Sequence, residues 1–355
     1  MVYIVQRAAL RSFILLMAFV ACISAQPGSR GSDVGATIPR FSAADQNGVM
    51  QTLDRIAGPK GAMIVFFRSA DWCLNCKSQL VELNESRETL REAGLGLAAI
   101  SFDSVAILSN FAKRKGIEFP LLSDPESKII RDFGILNETV TKDSPFYGIP
   151  HPVTYIVDPK GVVISRKFDE DYRQRFTVGN ILTEKLDLRT GAAQSQVETK
   201  HLKVTASASN AKVRPGERIR LILDIDLKSG MHVYAPGVEG YIPIDWKMTD
   251  SPAVQAVPAI YPPSKKLRLE AIQETADVYE GRFTLQREAI VGDQAKVDSV
   301  VKAGAQLVIE GTLRYQACDD RMCYLPQNVP LKWTVQYERH DRTRVPAELQ
   351  RTGIQ

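Results

Sequence analysis

The apolar run Ala62-Met63-Ile64-Val65-Phe66-Phe67 carries no polar interruption, the pattern of a strand covered on both faces. Leu97 to Phe102 repeats it. Between the two, the spacing predicts a helix from Cys76 to Ala93, with Leu80, Leu83, Arg87 and Leu90 along one side and Gly94 where a helix-ending glycine sits. A second helix is expected from a cap at Asp103 or Ser104 through Lys115. A short strand at Pro120–Leu122 and a short helix at Ser127–Phe133 follow. Val153–Asp158 and Val162–Phe168 then predict a hairpin turning on Asp158-Pro159-Lys160-Gly161, and a closing helix is expected near Arg173–Leu188. Strands alternating with helices give an α/β domain with a mixed sheet over residues 36–190.

Past residue 200 the period falls to two. Ile219, Leu221, Leu223, Ile225 and Leu227 alternate with mostly polar neighbours, as do Leu307, Ile309, Leu313 and Tyr315, and again Val329, Leu331, Trp333, Val335 and Tyr337. Such strands bury one face each, and a two-sheet sandwich over residues 201–340 is the natural way to cover them. Trp333 falls on a core-facing position, while His232 and Trp246 receive no role. The polar stretch 191–200 reads as a linker, and 341–355 as a loose polar tail.

The start of the chain has a different character. Arg7 and Arg11 precede the apolar run Phe13–Val20, which is short for a membrane span, and the small-residue site Ile23-Ser24-Ala25 follows. Residues 1–25 are expected to be a cleaved secretory signal, with export to a bacterial periplasm or similar compartment. The alternatives are a lipoprotein signal, in which Cys22 would be lipidated and tie the protein to a membrane, and an uncleaved anchor. The formal net charge is +4, and Lys and Arg are dispersed among Asp and Glu, so nothing here makes a nucleic-acid surface. The cluster Lys265-Lys266 with Arg268 reads as a solvated face.

Five cysteines are present: Cys22, Cys73, Cys76, Cys318 and Cys323. The last four form two closely spaced pairs, and closing such small loops stabilises a long chain little. In an oxidising compartment the pairs point to redox chemistry more than to bracing. Trp72-Cys73-Leu74-Asn75-Cys76 stands between a buried strand and a helix. Unpaired N–H groups at a helix start stabilise a thiolate, so Cys73 is expected to attack and Cys76 to resolve the mixed disulfide. A zinc half-site or an inert disulfide is the competing assignment, but His151 is the only histidine in this domain, and no metal is expected.

On these residues the first domain resembles the AhpC/TSA redoxin branch of the thioredoxin superfamily. The matching segments are Phe66–Cys73, Phe119-Pro120-Leu121-Leu122-Ser123-Asp124-Pro125 and Val153–Gly161. The resemblance implies a thioredoxin-like fold, redox-active dithiols with no cofactor, and a cis proline facing the dithiol. Of Pro150 and Pro152, spacing to Gly161 favours Pro152, which would present the backbone of His151 to a substrate cysteine. The side chain of His151 is a candidate proton carrier, and Trp72 a candidate substrate contact. Peroxidases of the family resemble Pro-x-x-x-Thr/Ser-x-x-Cys around the attacking thiol. Here Phe66 and Ala70 occupy those positions, which favours disulfide exchange over peroxide reduction. Asn75, where thioredoxins resemble one another in having proline, leaves the redox direction open.

Cys318 and Cys323 sit in a strand-to-strand connection, where a plain hairpin disulfide is one assignment. Tyr315-Gln316-Ala317-Cys318, Cys323-Tyr324-Leu325-Pro326, Gly230–Tyr234 and Asp277–Gly281 resemble the N-terminal domain of the DsbD thiol:disulfide interchange family. That resemblance implies an all-β immunoglobulin-like sandwich that passes electrons to other exported redox proteins. It also implies a cap at Val278 and Tyr279 over the cysteines, with Tyr234 beside them. The leading expectation is an exported thiol–disulfide oxidoreductase, exchanging with exported thiol or disulfide proteins and with a membrane electron donor as a candidate partner. Electrons would pass between Cys318/Cys323 and Cys73/Cys76 within one chain or between chains. The alternatives are a thiol peroxidase, with Cys73 peroxidatic and Cys76 resolving, and a non-catalytic docking module with structural disulfides.

Overall fold

The computed structural model describes residues 30–351 except 169–170, 190, 192 and 270–272. The expected signal at 1–25, with Cys22, lies outside the described residues. Gly31 onward forms one compact unit. Among the described residues no helix is long and apolar enough to cross a membrane.

The first domain is thioredoxin-like. Its five-stranded sheet runs, edge to edge, Leu121–Ser123, Leu95–Ser101, Gly61–Phe66, Val153–Val157, Val163–Phe168. The first three strands are parallel and the last two antiparallel. Every residue of Gly61–Phe66 is buried, because helices cover both faces of the sheet. Met63, Val65 and Phe67 pack against Leu80, Leu83 and Phe111 on one side, and Ala62, Ile64 and Phe66 against Ile129, Ile130 and Phe133 on the other. Gly61 has φ +112°, and a Cβ there would stand 1.8 Å from the Val157 carbonyl oxygen, so the central strand starts where only glycine fits.

Two expected helices change shape. The one predicted from Cys76 to Ala93 is two, Leu74–Glu85 and Arg87–Glu92, broken at Ser86 with φ −94° and ψ 0°. The hydroxyl of Ser86 donates to Glu82 at 3.2 Å, a local bond that competes with helix continuation. The closing helix starts only at Val178 and ends at Leu186, capped by the Thr177 hydroxyl. The residues before it, Arg175–Phe176, are a strand that leaves the first domain and pairs in parallel with Glu217–Arg218.

The second domain is a β-sandwich. One sheet has the order Val254–Ala256, Arg282–Val291, Glu217–Leu227, Leu202–Ala208, Ala193–Glu198. The other has Lys212–Val213, Gln327–Tyr337, Gln306–Tyr315, Asp245–Met248. Ile219, Leu221, Leu223 and Ile225 face Leu307, Leu313, Leu331 and Trp333 across the core. Trp333 is fully buried, donates to the Ser207 carbonyl at 3.0 Å and stacks on Trp246. A third, four-stranded sheet carries the second dithiol: Lys265–Leu269, Glu274–Glu280, His232–Tyr234, Ala317–Cys318.

The linker expected at 191–200 is an edge strand, Ala193–Glu198, paired antiparallel with Leu202–Ala208. Its side chains are mostly polar because an edge strand is held by backbone bonds, while Val197 packs on the core. The described part of the expected tail, residues 341–351, is not loose either. Val345 is buried, Asp341 pairs with Arg114 and Lys115, and Arg344 pairs with Asp71 in the first domain. Its polar side chains find charged partners on a surface far away in sequence.

Candidate active site

Cys73 is the N-cap of helix Leu74–Glu85, and its Sγ accepts from the Cys76 amide at 3.3 Å. The two sulfurs form a disulfide, with Cα atoms 5.2 Å apart. Cys73 is 6% exposed and Cys76 is wholly enclosed, so the leading sulfur is the one a partner can reach. Once reduced, Cys73 has the helix-start amides beneath it, the geometry that lowers a thiol pKa.

The loop before the helix is fixed from below by Asp103. Its carboxylate accepts from the Ser69 hydroxyl at 2.9 Å and from the Ala70 amide at 2.7 Å. Burial pushes Asp103 up to about 6. Ser69 is therefore committed to the loop, and Ala70, three residues before Cys73, has no hydroxyl to offer. Above the loop Trp72 makes an aromatic rim with Phe146, at 4.7 Å between centroids. The Arg68 guanidinium stands over both Trp72 and Tyr172. Phe146 and Tyr172 carried no sequence signal beyond composition; only folding brings them to Trp72 and Arg68.

Pro152 and His151 sit at the head of strand Val153–Val157, whose Val153 pairs with Phe66. Among the described residues no peptide bond is cis, so the expected cis Pro152 is corrected to trans. The His151 amide is spent on the Ile135 carbonyl at 2.7 Å, and its Nε2 lies 3.0 Å from Glu138 Oε2. That amide is bonded inward and is not offered to a substrate.

The chain's end reaches this site. Arg344 Nε donates to Asp71 Oδ1 at 2.7 Å, and the Val345 amide to the same oxygen at 2.9 Å. Lys77 Nζ donates to the Thr343 carbonyl at 2.9 Å, and Ser78 Oγ lies 2.8 Å from His340 Nδ1. Burial first, then nearby cations, push His340 down to about 4. Replacing Arg344 with alanine leaves the buried Asp71 short of its cation. We expect a loss of about 1–3 kcal/mol in denaturant unfolding, the lower part of the range because the Arg344 side chain is partly solvated.

The second dithiol closes a hairpin. Cys318 pairs with His232 and with Cys323 across the turn, and the two cysteines are disulfide-bonded with Cα atoms 4.0 Å apart. Asp319 holds the turn by accepting from the Arg321 and Met322 amides and the Tyr324 hydroxyl, which lowers its carboxyl to about 2. Tyr234 Oη lies 3.8 Å from Cys323 Sγ. The two cap candidates part company, because adjacent strand residues face opposite ways. Val278 packs with Cys318 and Tyr234, whereas Tyr279 joins the main sandwich core and donates to the Pro262 carbonyl. Among the described residues no three His, Cys, Asp or Glu side chains converge as metal ligands would.

The two dithiols lie at opposite ends of the sandwich. The first domain docks at the Glu217 end of strand Glu217–Leu227, through Arg175 and Phe176. Cys318 lies beyond the other end, where Arg282 pairs with Asp226 and Glu280 with His232. A strand of this length spans roughly 35 Å. In this arrangement the two sulfur pairs stand apart at its two ends.

Residues 34–166 match the AhpC/TSA family model, and residues 199–332 match that of the thiol:disulfide interchange protein DsbD, N-terminal. The chain joins an AhpC/TSA redoxin domain to a DsbD N-terminal domain. Peroxiredoxin Bcp of Escherichia coli (strain K12) is 29% identical over 136 residues, 38% of this chain and 85% of that protein. Chloroplastic peroxiredoxin Q of Triticum aestivum is 31% identical over 129 residues, 36% of this chain, which spans 56% of that relative's length. The crystal structure of peroxidoxin BcpB from Mycobacterium tuberculosis aligns with 39% of this chain and 86% of its own, at 21% identity and a TM-score of 0.34. The relatives that the redoxin domain matches are named as peroxiredoxins, and the model that the second domain matches is named for a thiol:disulfide interchange protein.

Proposed function

We propose that this is an exported thiol–disulfide exchange protein acting through Cys73 and Cys76. The observation that carries the reading is the local chemistry of Cys73. It caps a helix, is bonded to Cys76 one turn on, and has Ala70 where a peroxide-binding hydroxyl would be needed, with Ser69 turned away to Asp103. Cys73 thiolate bonds to one sulfur of a partner disulfide and the other leaves as a thiolate; Cys76 then attacks Cys73 Sγ and displaces the partner sulfur held there, closing the Cys73–Cys76 bond. Cys318 and Cys323 make a second exchange point for other exported thiol proteins, and electrons pass between the two dithiols from one molecule to another. A membrane electron donor would complete the supply.

A second reading, thiol peroxidase, is favoured by the peroxiredoxin names of the relatives. Cys73 would become a sulfenic acid and Cys76 would condense with it to the same disulfide, releasing water. The two separate in one assay. Fully reduced protein is offered either a disulfide peptide or hydrogen peroxide, and closure of the Cys73–Cys76 bond is followed. Exchange predicts faster closure with the peptide; sustained peroxide turnover at the greater rate selects the peroxidase.

A further inference from the structure

Cys76 is enclosed, and among the described residues a cation reaches its Sγ. Arg175 Nη2 lies 3.6 Å from that sulfur, and Arg175 is itself 2% exposed. The guanidinium is aimed by its other bonds. Nε donates to Gln79 Oε1 at 3.0 Å, three residues after Cys76 on the same helix, and Nη1 donates to the Tyr172 and Gln174 carbonyls. Arginine stays protonated under all ordinary conditions, so the charge is permanent.

The second domain holds this residue in place. The Arg175 amide donates to the Gly216 carbonyl at 2.8 Å, and Arg175 is in register with Glu217 of the long sandwich strand. Gly216 has φ +79°, and a Cβ there would meet the Arg173 carbonyl oxygen at 2.1 Å, so glycine is what permits the approach.

We propose that Arg175, set by the sandwich strand, is a catalytic cation that holds Cys76 as a thiolate in the reduced dithiol. The inference deepens the exchange reading and rests on it. A partner disulfide takes two electrons from the dithiol. Cys73 thiolate forms a bond to one partner sulfur, and the other partner sulfur leaves as a thiolate. Cys76 thiolate then bonds to Cys73 Sγ, and the first partner sulfur leaves in turn. A charged Cys76 performs the second displacement without first losing a proton. By stabilising the reduced state, the same cation makes the disulfide easier to reduce.

The test is the reduction potential of Cys73–Cys76 in the full chain, measured against a glutathione couple. Arg175→Gln should lower the equilibrium constant for reduction about tenfold, about 30 mV for a two-electron couple. It should also prolong the mixed disulfide between Cys73 and a disulfide peptide. Arg175→Lys, which keeps a cation, should recover most of both effects. An unchanged potential in Arg175→Gln, or equal effects of Gln and Lys, overturns the proposal. If Arg175→Gln does not fold, Cys73→Ser with Arg175 intact decides the matter by ultraviolet thiolate absorbance. Cys76 should be largely ionised at neutral pH, and ionisation near the free-cysteine value of about 8.5 overturns the idea. A wild-type protein that exchanges no disulfide would sink the underlying reading, while the potential difference would still report on Arg175.

Discussion

Cys73→Ser should abolish disulfide exchange, a loss on the order of a thousandfold or more in rate, while Cys76→Ser should keep the first step and lose the second. A serine hydroxyl stays protonated at neutral pH and is no substitute for a thiolate as nucleophile. In Cys76→Ser the attacked partner stays attached, because the group that would displace it is gone. Mass spectrometry of the intact protein should therefore find the partner on Cys73 in that variant and nothing attached in Cys73→Ser. The burial difference sharpens the expectation, since the enclosed Cys76 is a poor site for a first encounter. An adduct carried by Cys76 in the Cys73→Ser protein would reverse the assignment of the two sulfurs.

Replacing Arg214 with leucine should cost about 1–3 kcal/mol of stability, because its buried guanidinium is the shared partner of Glu85, Glu338 and Glu217. Arg214 is 4% exposed on its side chain, and its Nη1 lies 3.6 Å from Glu217 Oε1, a fully enclosed oxygen without a hydrogen bond. Its Nη2 bonds Glu85 at 2.9 Å and also pairs with Glu338. Glu85 and Glu82 project from the helix that Cys73 begins, and Glu82 accepts from the Val178 amide and from Asn210 of the sandwich. The cation therefore ties the redox helix to the second domain. Burial raises Glu82 to about 7 and Glu217 to about 8, against Arg214, which pulls both down. The sign follows directly. The folded chain keeps protons that the unfolded chain releases near 4.5, so stability present below that pH is lost as pH climbs through about 7 to 8. Thermal unfolding midpoints should fall over that window in the wild type and fall further in Arg214→Leu. A midpoint that rises with pH across it would contradict the buried-carboxylate account.

What the sequence made legible was local. An unbroken apolar strand, a Trp-Cys-x-x-Cys and a following helix lie within one stretch of chain, and short-range rules were enough to place Cys73 at the helix start. Alternation likewise identified the sandwich strands, because their period survives without knowing which strand pairs with which. Arg175 was invisible for the opposite reason. It meets Cys76 across 99 residues, and no periodicity marks a single arginine in a segment that reads as the start of a helix. Arg344 meets Asp71 across 273 residues and sits in a segment whose composition reads as disordered. The edge strand Ala193–Glu198 shows why polarity misleads: its bonds are made by backbone, which every residue has. Proximity of the two dithiols was likewise beyond sequence, since it depends on which end of a long strand the first domain grips.

That placement at far poles gives the molecule the character of a two-ended connector. On the proposed exchange function, one partner would charge it at the hairpin while another draws from the helix, with no competition for the same surface. Levelling between the poles then requires two molecules to collide, so its rate should climb with protein concentration, and a dilute sample will hold its two sulfur pairs at separate redox levels.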